Sequence, residues 1–373
     1  MKQFAIKPAI VIFDTFAEFV ENTQLGAQDL IFTVKFLNDT WIKPLKVASP
    51  VICFEDYGAG EPTDEMIDKI IAAASKYSYN RIIAIGGGSV IDIAKVMSLK
   101  QTGKALELFE RTVDVIKEKE LLIIPTTCGT GSEVTNISIA GIPSKNTKKG
   151  LAVDALFADK AVLVAELING LPEFVFVTSS IDALVHSMES YLSPKASPLS
   201  EIFSVSAIQT LLKNFAYFLA NGRKAAIPAI AKSTLVASTY GGVAFGNAGC
   251  GAVHAMAYPL GGVHHVPHGE ANARFLTSVF LRYKEKQPVG KIQDLAAIMS
   301  EALGLKAGQD VWAALEDLVN KLLPRKSLRE YGMPEAEIES FATSVIEQQQ
   351  RLLANNYVPL SRDEIRDIFK ALW

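Results

Sequence analysis

The sequence contains few cysteines and no long apolar run, and each shortage excludes a class of protein. Its three cysteines, Cys53, Cys128 and Cys250, form no C-x-x-C pair and no disulfide framework, which is typical of a reducing compartment. No uninterrupted apolar stretch reaches about 18 residues, and the short run Ala9–Phe13 lacks the cleavage site of a signal peptide. We therefore expect a cytoplasmic protein that does not span a membrane.

The net charge is also small, because the chain has 37 Lys and Arg residues and 40 Asp and Glu residues, which gives a net charge of -3. Without a basic stripe, nucleic acid is not expected as a partner. The 49% of hydrophobic residues excludes disorder, and 373 residues allow two to three domains at roughly 150 residues each.

The first part of the chain alternates strand-like and helix-like segments. The strand-like segments are rich in β-branched residues, and they are Asp29–Leu37, Val47–Glu55, Arg81–Ile85, Leu121–Pro125 and Ala161–Ala165. Thr63 caps a helix-like segment with an acidic first turn between the second and third of these. This alternation predicts an α/β domain with a mostly parallel sheet, spanning residues 1–170 and suited to a dinucleotide.

Strand patterns nearly vanish after Pro172. The remaining apolar segments have helical spacing, and they include Ser200–Ala220, Lys291–Leu303, Val311–Leu323 and Ala336–Leu353. We therefore predict an all-helical domain over residues 171–373.

A glycine-rich turn follows the predicted strand Arg81–Ile85. Gly86, Gly87 and Gly88 have no Cβ atom, so a pyrophosphate can approach the free N–H groups of the following helix. Ser89 and Asp92 have the spacing of a capping box. A tight turn with an ordinary cap explains these residues equally well, and the usual dinucleotide fingerprint would require a glycine at Ile91.

A second loop of small and hydroxyl-bearing residues follows the next strand, in the sequence PTTCGTGSEVT from Pro125 to Thr135. Such residues suit ribose and phosphate contacts at the carboxyl ends of parallel strands. Two loops of this kind on neighbouring strands favour a nucleotide site over two plain turns.

All five histidines lie between His186 and His268, inside the predicted helical domain. Asp182 and His186 are one helical turn apart and project from the same face. The later segment Gly251–Gly269 contains the other four and is interrupted by Gly and Pro, so its ends can fold toward one point. Each histidine alone is explained by an ordinary hydrogen-bonded imidazole, but three imidazoles and one carboxylate together suit Fe²⁺ or Zn²⁺ with a position left open for substrate.

The motifs that carry these residues resemble the iron-containing alcohol dehydrogenase family. They occur in family order, and they are GGGSVIDIAK from Gly86, PTTCGTGSEVT from Pro125, DALVH from Asp182 and HAMAYPLGGVHHVPHG from His254. The resemblance implies the two domains described above, a site in the cleft between them, and hydride transfer between a nicotinamide cofactor and a primary alcohol. Within the family the chain resembles members that interconvert 4-hydroxybutyrate and succinate semialdehyde.

The resemblance also implies roles for individual residues. The implied metal ligands are Asp182, His186, His254 and His268. The implied pyrophosphate contacts are Gly87, Gly88 and Ser89, and Gly86 is a further cofactor-binding residue. The rest of the dinucleotide is expected to contact Asp92, Thr126, Thr127, Thr130, Ser132, Val134 and Lys149. The metal would act as a Lewis acid toward the alcohol oxygen. We expect a homodimer that acts on a small molecule.

Three positions concern proton transfer, substrate binding and cofactor choice. Tyr258 stands where many members have a histidine, so its phenol is the candidate proton relay. His265 is the first candidate for the substrate carboxylate, ahead of His264 and Arg274. Many NAD-specific members have an aspartate after the first strand, where this chain continues from Thr33 through Val34 to Lys35. A lysine at this position is compatible with the 2′-phosphate of NADP, so NADP stays open and NAD is expected from the subfamily resemblance alone.

Other functions remain open on sequence alone. The same scaffold serves dehydrogenases of uncharged short-chain alcohols or diols. A metal- and NAD-dependent lyase of the dehydroquinate synthase type would need a basic phosphate pocket, and the segments that bear the histidines show no Lys/Arg cluster. A binding or filament-forming module without catalysis would not require the full set of four metal ligands beside both cofactor loops.

Overall fold

The computed structural model describes residues 3–145 and 147–373, which divide into two compact units. The first, which we call the sheet unit, contains Ile6–Thr127 and Ser132–Gly170. The second, the helical unit, contains Leu171–Trp373, Cys128–Gly131 and the described residues before Ile6. The chain therefore enters the helical unit briefly at Cys128 before it completes the sheet unit.

Strands in the described residues all belong to the sheet unit. They are β1 (Ala9–Phe13), β2 (Asp29–Thr33), β3 (Val51–Cys53), β4 (Arg81–Gly86), β5 (Glu120–Pro125), β6 (Ile137–Ile142), β7 (Thr147–Ala152) and β8 (Lys160–Val164). Six of them pair in parallel in the order β1-β8-β5-β4-β2-β3, and β6 and β7 form an antiparallel hairpin. The predicted α/β fold with a mostly parallel sheet is confirmed.

Helices cover the sheet and build the second unit. In the sheet unit they are α1 (Phe16–Thr23), α2 (Lys35–Leu37), α3 (Asp64–Ala74), α4 (Gly88–Met97) and α5 (Ala105–Glu110). In the helical unit they are α6 (Glu173–Leu192), α7 (Pro198–Ala220), α8 (Ile227–Ala248), α9 (Ala252–His264), α10 (His268–Lys286), α11 (Lys291–Ala302), α12 (Val311–Leu322), α13 (Glu337–Gln348), α14 (Gln350–Leu353) and α15 (Arg362–Leu372).

The central strand β4 is buried on both faces of the sheet. Ile82 and Ala84 of β4 point into one apolar cluster, whereas Ile83 and Ile85 point into the other. A strand that is buried on both faces has a continuous apolar sequence, which explains why β4, β5 and β8 were predictable to within one residue.

Two strand predictions were too long. The apolar pattern of Asp29–Leu37 continues beyond β2 because the chain turns into α2 and a π-helical turn, Asn38–Ile42. Leu37 and Ile42 pack in the same cluster as Ile31, so burial continues although the strand has ended. Likewise only Val51–Cys53 of the predicted Val47–Glu55 forms a strand.

Two segments of the helical unit differ in detail from their sequence patterns. The segment after Gly251, which Gly and Pro interrupt, forms α9 with Pro259 inside it, and α10 follows after three residues. The predicted helix Ala336–Leu353 is interrupted at Gln349, between α13 and α14. The helical content predicted after residue 171 is confirmed for the described residues.

By length and composition alone, α7 could cross a bilayer, with a mean hydropathy of 1.2 in a window that is 44% buried. It packs against α6 and α8, and Glu201 within it pairs with Lys291 at 2.6 Å. The core helix of a globular protein has the same features, so this helix is weak support for a membrane segment.

Candidate functional site

Four side chains from three helices meet in the helical unit. Asp182 and His186 lie one turn apart on α6, His254 is in the first turn of α9, and His268 is the first residue of α10. The first three are buried, with 2%, 5% and 3% of their surface exposed, while the His268 side chain is about one-third exposed. The structure therefore brings together all four residues that the sequence predicts as metal ligands.

Their ligand atoms are close enough to share one ion. The Asp182 carboxylate lies 3.6 Å from Nε2 of His254, 3.7 Å from Nε2 of His268 and 3.8 Å from Nδ1 of His186. The Nε2 atoms of His186 and His254 are 3.0 Å apart. Metal–nitrogen bonds of about 2.0–2.1 Å place the ligand atoms of a tetrahedral site roughly 3.4 Å apart, so these residues fit a divalent transition metal.

Two further residues orient this group. Glu189, one turn beyond His186 on α6, accepts hydrogen bonds from Nδ1 of His254 at 2.6 Å and from the backbone N–H of Val253 at 2.7 Å. Asn272, one turn beyond His268 on α10, donates to Asp182 Oδ1 at 2.7 Å. Such contacts fix the orientation of a ligand and the tautomer of a histidine.

Burial and charge set the protonation of the cluster. Burial raises the pKa of Asp182, but His186, His268 and His254 together outweigh it and hold this pKa well below its ordinary value. Burial lowers the pKa of His186 to about 3, which keeps its ring neutral. Burial also opposes protonation of His254, yet Glu189 and Asp182 raise its pKa to about 9. Only a neutral imidazole can ligate a metal, so an ion that binds here displaces the extra proton of His254. One anionic carboxylate and three neutral imidazoles then form a donor set that suits a divalent transition metal.

Cys250 lies closer to this cluster than its sequence pattern suggested. Its thiol, the ring of His186 and the ring of His254 place ligand atoms within 4.8 Å of one another. Burial, reinforced by Glu189 and Asp182, raises the pKa of this thiol well above its ordinary value. A thiol held in the protonated state is a poor metal ligand.

The residues proposed for proton transfer and substrate binding occupy different environments. Tyr258 is half-buried on α9, and its ring lies 6.1 Å from that of His268. His265 is exposed just after α9 in a left-handed conformation with φ of 55°. His264 instead contacts Glu337 at 2.7 Å, which makes it a poor partner for a substrate carboxylate.

Arg274 is placed away from the cluster. His268 and Asn272 form the face of α10 that contacts Asp182, whereas Arg274 lines a small pocket with Glu270 and Tyr331 on another face of the same helix. This candidate for the substrate carboxylate is therefore not beside the ligand residues.

The glycine-rich turn lies at the carboxyl end of β4 in the sheet unit. A Cβ atom at Gly86 would lie 2.6 Å from Val90, and one at Gly87 would lie 3.2 Å from the Thr127 methyl group, so both positions favour glycine. Gly87 is the N-cap of α4 and no side chain caps this helix. The backbone N–H groups of the first turn are thus directed toward the space beyond the strand.

The predicted capping box of Ser89 and Asp92 was wrong. Because α4 begins at Gly88, Asp92 lies beyond the first turn, and its carboxylate accepts from Ser132 Oγ at 2.8 Å and from the Ile139 N–H at 2.9 Å. Ser89 Oγ approaches the Gly60 carbonyl at 3.5 Å. Asp92 and Ser132 thus contact each other, which favours a supporting role for both.

Of the other predicted cofactor residues, Thr126 and Thr127 directly follow β5 and lie beside the glycine-rich turn. The Thr126 N–H donates to the Gly86 carbonyl at 3.0 Å, and Thr127 lies beside Gly87. Val134 is buried in a short 3-10 helix, Thr130 lies in the segment that belongs to the helical unit, and Lys149 of β7 contacts Glu110 at 3.1 Å.

Lys35, beyond the end of β2, is surrounded by acidic side chains. Its ammonium pairs with Asp56 at 2.7 Å, and its backbone N–H donates to both Glu55 oxygens at 3.1 and 3.0 Å. The sequence alone did not link Lys35 to these two carboxylates, because they lie about twenty residues later, just after the neighbouring strand β3. Parallel pairing of β2 and β3 brings the two ends together.

Sequence reasoning also missed Glu189, Asn272 and Lys95. The first two were detectable, because Glu189 and Asn272 each follow a ligand residue on the same helical face. Lys95 is fully buried on α4 and donates to Ser132 Oγ at 2.8 Å. No pattern distinguishes it from a surface lysine near the end of a helix.

Two protein-family models match the chain. The one described as iron-containing alcohol dehydrogenase matches residues 11–164, and the one described as Fe-containing alcohol dehydrogenase family, C-terminal, matches residues 176–373. Together they span both units.

Individual relatives agree with these matches. The chain is 49% identical to 4-hydroxybutyrate dehydrogenase of Clostridium kluyveri, and the match covers 100% of both chains. It is 36% identical to long-chain-alcohol dehydrogenase 1 of Geobacillus thermodenitrificans, covering 83% of this chain and 79% of the relative. The crystal structure of sulfoacetaldehyde reductase from Bifidobacterium kashiwanohense in complex with NAD+ has a TM-score of 0.85 and 21% identity, covering 100% of this chain and 98% of that one. At that identity the likeness shows the fold alone.

Proposed function

Since the chain belongs to the iron-containing alcohol dehydrogenase family, we propose that it transfers a hydride between NAD and the substrate pair 4-hydroxybutyrate and succinate semialdehyde. The observation that carries this proposal is the full-length identity of 49% to the Clostridium kluyveri enzyme of that name. These matches do not favour the other functions considered from the sequence, which were a lyase of the dehydroquinate synthase type and a binding or filament-forming module without catalysis.

Asp182, His186, His254 and His268 would hold a divalent metal ion, either Fe²⁺ or Zn²⁺. When bound, the ion supplies Lewis acidity toward the oxygen of the alcohol or aldehyde. Glu189 and Asn272 orient two of these four residues through the contacts at His254 and Asp182. The protein thereby holds its ligands in place before any ion arrives, which lowers the cost of reorganisation.

The dinucleotide would bind at the carboxyl ends of β4 and β5. Gly86, Gly87, Gly88 and Ser89 would contact the pyrophosphate through the N–H groups of the α4 terminus. The remaining residues proposed to line the cofactor are Thr126, Thr127, Thr130, Val134 and Lys149, with Asp92 and Ser132 supporting them.

NAD is proposed over NADP because of the charges around Lys35. Its ammonium is paired with Asp56, and Glu55 adds a second carboxylate, so the three side chains carry a net charge of one negative unit. The extra phosphate of NADP carries roughly two negative charges and would be repelled there. A single lysine without these neighbours would favour the opposite choice.

Tyr258 is proposed to relay a proton between the substrate oxygen and solvent. Its half-buried position next to His268 supports this role. His265, exposed and three residues before His268, is proposed to contact the substrate carboxylate.

We also propose that the protein is a cytoplasmic homodimer. Its three cysteines are all buried and unpaired, as expected in a reducing compartment. β1 is an edge strand with Ile10 and Ile12 exposed, and its outer edge, which pairs with no other strand of the described residues, offers a pairing surface to a second copy. Light scattering of the purified protein tests the dimer directly.

The substrate proposal is tested by NADH oxidation under anaerobic conditions with the ferrous-loaded protein. Succinate semialdehyde is compared with butyraldehyde, which has the same number of carbons but no carboxylate. We expect a strong preference for the acid. Equal or faster turnover of butyraldehyde would withdraw the 4-hydroxybutyrate assignment and favour a dehydrogenase of uncharged alcohols.

A further inference from the structure

Lys95 is a fully buried lysine whose ammonium has three hydrogen-bond partners. It donates to Ser132 Oγ at 2.8 Å, to Thr135 Oγ1 at 3.1 Å and to the Ile137 carbonyl at 2.7 Å. These contacts use all three donors of the ammonium group. The partners all lie in the segment that follows β5, whereas Lys95 lies on the helix that follows the glycine-rich turn.

This segment lies beside α4 at successive positions along the helix. Thr127 lies next to Gly87, Ser132 donates to Asp92, and Thr135 accepts from Lys95. Ser132 is the central link, because its hydroxyl accepts from Lys95 and donates to Asp92. The two loops proposed to bind the dinucleotide are thus joined by one buried polar network.

A buried charge is expensive unless charges and hydrogen bonds compensate for its lost hydration. Here the carboxylates of Asp92 and Glu133 lie near enough to favour the charged form of Lys95, although burial still lowers its pKa. An apolar side chain at this position would leave buried acceptors of the loop without their donor. The arrangement favours one fixed loop conformation.

We propose that Lys95 is a positioning residue for the dinucleotide, holding the Ser132–Val134 end of the second loop against α4. This inference rests on the proposed function, since it assumes that both loops bind the cofactor. Thr126 fixes the other end through its bond to the Gly86 carbonyl, so the loop is in its binding geometry before the cofactor arrives. Preorganisation of this kind increases affinity because less conformational freedom is lost on binding.

The test is Lys95→Met, which keeps the length of the side chain and removes the ammonium. NADH affinity is measured by nicotinamide fluorescence, together with kcat at saturating cofactor, metal content and thermal midpoint. We expect the Kd and KM for the dinucleotide to rise on the order of tenfold, while kcat and metal content change little. Thr135→Val, which removes one of the three acceptors, should give a smaller increase.

Lys117→Met is the matched control. Lys117 is a partly buried lysine of the same unit, and it donates to the Phe157 carbonyl at 2.7 Å instead of to the second loop. Removal of the Lys117 ammonium should leave the Kd for NADH unchanged. A Lys95→Met protein that has a lower thermal midpoint but an unchanged Kd would overturn the inference and leave the proposed function intact. Failure of the wild-type protein to bind NADH would overturn both.

Discussion

Nδ1 of His254 lies 2.6 Å from the Glu189 carboxylate, and the opposite ring nitrogen faces Asp182 at 3.6 Å. A neutral His254 that donates from Nδ1 to Glu189 keeps a lone pair on Nε2, which is the form that binds a metal. Glu189 therefore determines which nitrogen is available to an ion, although it is not itself among the proposed ligands.

Replacing this carboxylate should weaken metal binding. We expect Glu189→Gln to lower metal affinity by roughly 10- to 100-fold, because the amide fixes the histidine tautomer less strongly. The measurement is competition with a chromophoric chelator, followed by elemental analysis. Glu201→Gln, which removes an acid paired with Lys291 elsewhere in the helical unit, is the control and should retain full affinity.

His268 should be required for both metal binding and activity. We expect His268→Ala to lose bound metal and turnover together, since it removes one of four proposed ligands. Elemental analysis and NADH oxidation check the two effects. His264→Ala removes a histidine that contacts Glu337, and it should keep its metal. Full metal occupancy in His268→Ala would contradict the ligand assignment.

Cofactor choice should depend on the acids around Lys35. We expect the double variant Glu55→Gln, Asp56→Asn to raise the ratio of NADPH to NADH kcat/KM on the order of tenfold, because like-charge repulsion of the extra phosphate is removed. Steady-state kinetics with both cofactors measure this ratio. Glu118→Gln removes an exposed charge beside Lys119, just before β5, and should leave the ratio unchanged. An unaltered ratio in the double variant would place cofactor discrimination elsewhere.

The stability contribution of Lys95 should increase with pH. Burial lowers its pKa from 10.5 to about 8, so between these values the unfolded chain binds more protons than the folded one. The free energy of unfolding contributed by Lys95 therefore rises from about pH 8 to about pH 10.5, by roughly 3 kcal/mol in total. Urea unfolding of the wild type and of Lys95→Met should show a difference that grows over this range. A difference independent of pH would contradict the shifted pKa.

The sequence allowed the architecture and the pairing of Asp182 with His186 to be predicted because both depend on local patterns. Strands such as β4 are apolar throughout, and Asp182 and His186 share a helical face by spacing alone. Convergence of His254 and His268 on them was expected from the family resemblance, and the structure shows that two helices, α9 and α10, bring them there.

What could not be predicted depends on contacts between segments that are distant in sequence. Asp92 has the spacing of a helix cap, but its partners Ser132 and Ile139 lie about forty residues away. Lys35 similarly appears as an isolated positive charge until pairing of β2 with β3 places Asp56 beside it. Local spacing does not contain such information, because tertiary contacts decide which of several possible partners a polar side chain finds.

The crossing of the chain at Cys128–Gly131 means that the two units are not independent modules. Gly129 packs against the Ser179 backbone so closely that a Cβ would lie 2.6 Å from its carbonyl oxygen, and a Cβ at Gly131 would lie 2.4 Å from the Cα of Gly242. A fragment ending at Gly170 would retain these four residues without their packing partners, and the complementary fragment would lack the contacts that they make. Domain exchange between homologues would therefore have to transfer this tetrapeptide together with the helices that enclose it.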